Sequence, residues 1–436
     1  MQLKNVLLFG VHYTNIPIYA KNRNTKNPAI IVGGTTNLHP IQNFADIISF
    51  GDCRIVLPSI IERIRAARKQ SSVDKWKNVL SGLKHCIIGN LNYGLVHAAP
   101  YLPVKENMIS TVWSSTNTVY GKSQYTNILS SIGCSRQCPF CVIGNCYLPP
   151  SAANYSSSIK EVISLAENGR HARGAELVRL LLASSFQFGM RPLKQILALL
   201  VNKNFKVLTG SLSQIPFDVD LCRLLKAAGQ ENIIFAPETS TRLRQRIGKN
   251  LYTNEILLEW AEKIPGFGFK LILYIMVGLP GETDLDLDNI GKMLSLVQNV
   301  LNKNKAMLEI HINQVFPKPH TPFEWKRPLT IEESYKRVKR VTSHLAGIEN
   351  RDYKLYTVLG SLTEFVQMWL YAAECDVAID LVSMAKGKMR LREIIWNAES
   401  IANSKPFSDV EQLPWKNVVY SDHNMLKERY DAINTL

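Results

Sequence analysis

Long apolar runs are missing from this 436-residue chain. No stretch approaches the ~18 residues that a bilayer span needs. The opening residues offer only Val6-Leu7-Leu8-Phe9 behind one lysine, too short for a signal-peptide core and better read as a strand. A membrane-spanning or secreted protein is therefore not expected, and a cytoplasmic one is. Cysteine is scarce as well: eight residues cannot staple a chain of this length. Acidic residues fall short of basic ones, 36 against 51, leaving a net charge of +15. Internal repeats and low-complexity tracts are absent. With 46% hydrophobic and 20% charged residues, global disorder is excluded and a sizeable core is affordable. At roughly 100–200 residues per domain, two to four domains are expected.

The positive charge is uneven. Residues 1–120 and 121–330 each sum to +8, and residues 331–436 to −1. Such an excess favours a polyanionic or acidic partner. The plainer reading is a solvated surface; Arg63, Arg65, Arg68 and Lys69 fit the polar side of one helix.

Three regions follow from the patterning. Residues 1–120 read as a small α/β unit, with apolar strands at Pro28–Gly34 and Asp46–Asp52 and a helix from Ile60 to Lys69. Residues 101–124 are polar and irregular, and read as a linker. Across 121–330 strands are expected near 126–131, 175–182, 205–210, 232–236, 269–277 and 307–315. Helices are expected between them, near 158–169, 190–202, 217–228, 252–264 and 283–301. Six strands alternating with five helices predict an α/β fold with a parallel sheet, whose functional residues gather at the carboxyl ends of the strands. Residues 331–436 form a mainly helical extension with a weakly patterned tail after Lys405.

Four of the cysteines cluster: Cys134, Cys138, Cys141 and Cys146. The first three have the spacing C-x3-C-x2-C on the loop after the first strand of the repeat. Three thiolates on one short loop can hold three irons of a 4Fe–4S cluster and leave the fourth open to a small molecule. Spacing alone leaves zinc open, with Cys146 as a fourth ligand.

The loop Gly133-Cys134-Ser135-Arg136-Gln137-Cys138-Pro139-Phe140-Cys141 resembles the radical S-adenosylmethionine (SAM) superfamily. The resemblance implies a partial (β/α)6 barrel and one 4Fe–4S cluster on Cys134, Cys138 and Cys141. It also implies SAM on the open iron, an external electron donor, and reductive cleavage of SAM to a 5′-deoxyadenosyl radical that takes a hydrogen from substrate. Position along the barrel carries further residues over as SAM contacts. Phe140 stands beside the third cysteine. Ser184 and Ser185 follow strand two, Ser211 and Ser213 strand three, and Glu238 and Arg242 strand four. Gly278 ends strand five in Gly278-Leu279-Pro280-Gly281, whose plainer role is a tight turn with Thr283 capping the next helix. Tyr274, His311 and Asn313 are candidates for the substrate side, against ordinary core packing.

Ala236-Pro237-Glu238, Gly278-Leu279-Pro280 and Pro317-Lys318-Pro319-His320-Thr321-Pro322-Phe323 look closest to the branch with an N-terminal cobalamin-binding-type domain, near the methylthiotransferases. That domain is truncated here to about half. No Asp-x-His-x-x-Gly motif supplies a cobalt ligand, His12 and His39 lie in other contexts, and cobalamin binding is not expected. A methylthiotransferase would need further cysteines for a second cluster. Related single-cluster radical SAM enzymes epimerise, crosslink or splice ribosomally made peptides, so the resemblance implies a peptide modifier, the splicease type among them. Its substrate would be a ribosomally made precursor peptide with an acidic leader, excised to an α-keto-β-amino acid or otherwise modified, with a separate small leader-binding protein as partner. An RNA-modifying enzyme ranks second, since no basic-aromatic stripe is present. A corrinoid methyltransferase acting on a small molecule is the third reading.

Overall fold

The computed structural model describes residues 16–35, 38–70, 73–89, 94–102, 109–114, 124–129, 131–152, 155–181, 189–212, 215–345, 353–357 and 361–434. The N-terminal unit carries β1 (Ile31–Gly33), β2 (Ile47–Ser49), α1 (Cys53–Lys69) and β3 (Cys86–Ile88). β1 and β2 pair in parallel, and β3 closes the small sheet antiparallel to β2. Asp52 caps α1 through the Arg54 amide, which places the start of the helix at the carboxyl ends of β1 and β2. Ile47, Val56, Ile60, Trp76 and Leu80 form the core beneath.

After β4 (Val96–His97) and β5 (Ile109–Ser114) come the strands of the repeat. They are β6 (Gln124–Leu129), β7 (Leu177–Leu181), β8 (Lys206–Leu208), β9 (Asn232–Glu238), β10 (Lys270–Val277) and β11 (Leu308–Gln314). All six fall where the patterning places them. The alternation that predicts them is a burial alternation. Along β11, residues 308, 310, 312 and 314 are buried under the helices, while 309, 311 and 313 face the barrel interior half-buried. The six strands divide between two four-stranded sheets, ordered β8-β7-β6-β5 and β9-β10-β11-β12, with β12 at Tyr353–Tyr356. The Leu212 amide donates to the Ile234 carbonyl at 3.0 Å and links the two.

Between the strands lie α2 (Val142–Cys146), α3 (Tyr155–Arg173), α4 (Met190–Asn202), α5 (Val219–Ala227), α6 (Asn254–Lys263) and α7 (Asp284–Lys303). α4 shows why: Leu193, Ile196, Leu197 and Leu200 make one buried stripe. α7 starts on a capping box of Thr283 and Asp286 and buries Leu287, Ile290, Leu294, Val297 and Leu301. The turn role of Gly278 is also visible. Its φ is +84°, and a Cβ there would sit 2.4 Å from Leu329 Cδ1.

Two expectations need correction. Residues 101–124 are not an irregular linker throughout: Ile109–Ser114 is β5, paired antiparallel with β6 along six residues. Its alternating Ile109, Thr111 and Trp113 fit a sheet edge, a short pattern hidden among polar neighbours. The C-terminal region does begin with helices α8 (Ile331–Ser343), α9 (Leu362–Tyr371), α10 (Ala378–Ala385) and α11 (Leu391–Asn403). Its tail, however, is ordered by long-range contacts. Val418–Val419 forms β13 beside β4, the Tyr420 hydroxyl donates to the Gly34 carbonyl at 3.0 Å, and α12 (His423–Asn434) lies against the cysteine loop.

Candidate functional site

The cysteine loop leaves β6 through Ser131–Ile132 and is folded by backbone geometry before any ligand. Gly133 sits at φ +68°, where a Cβ would meet the Tyr147 carbonyl oxygen at 2.1 Å. Gln137 also has positive φ, at 45°. The amides of Gln137 and Cys141 donate to the carbonyls of Cys134 and Cys138 at 3.3 and 3.0 Å, winding two turns between the three cysteines. Cys134 and Cys141 are half-buried and Cys138 is buried. Burial pushes the Cys138 thiol up to about 11; Lys249 opposes this, and the neighbouring Cys141 and Cys134 thiols add to it. Three cysteine thiols on one short loop, Cys138 among them buried, are the soft sulfur donors that an iron–sulfur cluster takes, so this donor set fits one. Cys146 does not join them. Its Sγ donates to the His320 carbonyl at 3.6 Å, and burial holds it as a neutral thiol.

Three supporting residues were not legible in the sequence. Asn145 Nδ2 donates to the carbonyls of Cys138 (2.9 Å) and Cys141 (2.7 Å). Arg429, on α12, donates to Asn145 Oδ1 at 2.9 Å and to the Gln137 carbonyl at 2.8 Å. Lys249 donates to Glu238 Oε1 at 3.2 Å and to the Ala236 carbonyl at 3.1 Å. Asn145 had one local clue, its place one turn beyond Cys141. Arg429 had none, because it lies 292 residues from Gln137.

Beyond the thiols opens a cavity of about 550 Å³ lined by Phe140, Ser211, Ala236, Glu238, Tyr274, Met276, Asn313 and Lys318, among others. Five of the predicted site residues with described surroundings are thus brought to one cavity: Phe140, Ser211, Glu238, Tyr274 and Asn313. Glu238 reaches it through a break in the β9–β10 register and a φ of +67°, a conformation that costs about 1–3 kcal/mol and must be imposed by its surroundings. Burial pushes the Glu238 carboxyl up, with Lys249 opposing. His311 stacks on Tyr274 (centroids 4.7 Å apart) and on Tyr356 (4.9 Å), and its Nε2 lies 2.7 Å from Glu309 Oε1.

His311 and two predicted SAM contacts are not among the residues lining the cavity. Arg242 is committed to a carboxylate on α7: it pairs with Asp286 and donates to the Gly281 carbonyl at 2.8 Å. Its neighbour Arg244 is buried and serves the carbonyls of Thr239 and Tyr252. Gly278 turns away from the cavity and donates to Glu282 Oε2 at 2.7 Å. Ser184, Ser185 and Ser213 lie outside the described residues.

A second cleft, about 610 Å³, lies between the N-terminal sheet and the cysteine loop. Gly33, Ser49, Gly51 and Arg54 line one wall, and Gly133, Ile143 and Tyr147 the other.

Comparison with known proteins matches this geometry. The model of the Radical SAM superfamily matches residues 128–294, and that of "Radical SAM proteins, N-terminal" matches residues 1–87. An uncharacterized protein of Methanocaldococcus jannaschii is 31% identical over 215 residues, 48% of this chain and 44% of that protein. The chain thus matches less than half of that relative's length. The fold is shared with TsrM of Kitasatospora setae, a radical SAM methyltransferase solved with cobalamin and a 4Fe–4S cluster. The TM-score is 0.52 at 14% identity, over 86% of this chain and 82% of that one. Among the described residues no helix is long and apolar enough to cross a membrane. Three thiols gathered where the parallel strands end, in a segment that the superfamily model recognises, make this chain an enzyme of the radical SAM superfamily.

Proposed function

We propose that this enzyme modifies a peptide, with the cluster on Cys134, Cys138 and Cys141 and SAM in the adjoining cavity. The observation that carries the reading is the cavity itself, which runs from the cluster loop at Phe140 across the strand ends to Asn313, Lys318 and Gln367. When bound, cluster and SAM supply one-electron chemistry that ends in hydrogen abstraction. The protein's residues do the rest. Glu238, held by Lys249, offers a carboxylate to ribose hydroxyls, and Ser211 a hydroxyl. Met276 and Phe140 give apolar surface for the adenine. The side-chain amides of Asn313 and Gln367 match the donors and acceptors of a peptide backbone. The net charge of +15 favours an acidic leader.

The test is anaerobic purification of the tagged protein from its native host, with intact-mass spectrometry and nucleic-acid absorbance on what co-purifies. The expected result is a peptide or small protein at fixed stoichiometry whose mass changes on incubation with SAM and reductant, and does not change with Cys138→Ala. Bound RNA that resists a high-salt wash, with no such peptide, overturns the reading.

The second cleft favours one alternative, a corrinoid beside the cluster. Its glycines at the carboxyl ends of β1 and β2 permit close approach of a large planar group, and no histidine is among its described lining residues. Stoichiometric retention of hydroxocobalamin through gel filtration would turn the reading towards a corrinoid methyltransferase. A colourless protein would retain the peptide reading without cobalamin.

A further inference from the structure

The loop Pro317–Trp325 and the C-terminal segment meet in a buried cluster that the chemistry above does not use. His320, Glu324 and His423 are 1%, 0% and 5% exposed. One ligand atom from each lies within 4.8 Å of the other two. We propose that these three residues bind a zinc ion that staples the C-terminal segment to the loop after β11.

Four observations carry this. First, His320 Nδ1 is fully buried and has no hydrogen-bond partner. A buried imidazole nitrogen without a partner is costly, and a metal ion would satisfy it. Second, the backbone of His320 is held at φ +61°. This turns the His320 amide onto Glu324 Oε2 at 2.8 Å and sets the ring against the cluster.

Third, the two carboxylate oxygens divide their work. Oε2 also accepts from Trp415 Nε1 at 2.7 Å, while Oε1 faces His423 Nδ1 at 2.7 Å. Oε1 and Nδ1 are the pair a metal would enter between. Their separation would open to roughly 3.3 Å around zinc at ~2.0–2.1 Å from each ligand. Fourth, the outer partners are present. His423 Nε2 lies 3.3 Å from the Val418 carbonyl, which orients the ring and leaves Nδ1 to ligate. Two imidazoles and one carboxylate form a donor set suited to zinc, and binding would release the proton now shared between His423 and Glu324.

The site would act on the cluster loop through α12. His423 begins the helix, and Arg429 on the same helix holds Asn145 and the Gln137 carbonyl. Zinc bound at one end would therefore fix the outer wall of the cysteine loop at the other.

The experiment uses the full chain with its iron–sulfur cluster reconstituted, so that the cluster cysteines are occupied. After dialysis against a chelator, zinc is added back and counted per chain by mass spectrometry of the elements, beside iron and sulfide. One zinc per chain is expected in the parent, with at least a tenfold loss of zinc affinity in His320→Ala and in His423→Ala at unchanged iron content. Zinc uptake equal in the parent and both variants overturns the proposal, as does a parent that takes up no stoichiometric zinc. Should the variants not fold, cobalt(II) added to the parent decides. Visible d–d bands without thiolate charge-transfer bands support a nitrogen and oxygen site. Thiolate bands, or no bands, leave the cluster a hydrogen-bonded latch and overturn it.

Discussion

Cys134, Cys138 and Cys141 converge within eight residues, whereas His423 reaches Glu324 across 99. The two sets are assembled by different means. The cysteine loop closes over a few residues, with a glycine at positive φ and two backbone hydrogen bonds doing the folding. Closing so short a loop needs little support from elsewhere. The histidine–glutamate cluster exists only once α12 is docked, and α12 docks through Arg429, Tyr420 and β13. Chemistry written into a local loop can be read from its spacing. Chemistry assembled from distant segments is visible only after the chain has packed.

The comparison is broken most severely at Cys138. Cys138→Ala is expected to lose the ~400 nm absorbance of a thiolate-ligated cluster together with all SAM cleavage. Parental SAM cleavage by that variant would remove the local loop from the chemistry.

Next in size is Lys249→Met, which strands the buried Glu238 carboxylate. Removing one partner of a buried pair costs on the order of 3 kcal/mol. Denaturant unfolding should show that loss, and the added change Glu238→Gln should recover much of it. A loss that the second substitution does not reduce would mean that Lys249 acts through packing.

Asn145→Ala is expected to cost about 1–3 kcal/mol, because it leaves two buried loop carbonyls and the Arg429 guanidinium short of a partner. The cluster should also be lost faster to a chelator. Unchanged chelation kinetics would show that the loop holds itself without α12.

The last effect is one of slope. Burial pushes the Glu282 carboxyl up to about 7, with the Gly278 amide and Arg337 opposing. A carboxyl raised above its unfolded value stabilises most at low pH, and that contribution is lost as pH rises towards 7. The melting temperature of the parent should therefore fall relative to Glu282→Gln between about pH 4.5 and pH 7. Parallel curves would place a charged Glu282 beside Arg337 throughout.

The repeat of strands and helices was legible because the core imposes its period on the sequence: Leu308, Ile310 and Ile312 alternate along β11, and Leu193, Ile196, Leu197 and Leu200 form one stripe on α4. The cavity residues Glu238, Tyr274 and Asn313 were legible by position, as residues at strand ends. Arg242 was misread because a basic residue after β9 fits an anion contact as well as it fits Asp286. Which anion it finds depends on where α7 starts. β5 and α12 escaped because their partners are remote and their own patterns short.

The sequence by itself determined the close spacing of Cys134, Cys138 and Cys141, the order of strands and helices, and the excess of positive charge, since each is a property of neighbouring residues or of simple sums. Only the tertiary structure decided that Asn145 and Arg429 support the cysteine loop, that Lys249 holds Glu238, that Arg242 is spent on Asp286, and that His320, Glu324 and His423 meet. Those pairings depend on the three-dimensional distance between residues far apart in the chain, which packing of the core sets and local pattern does not encode.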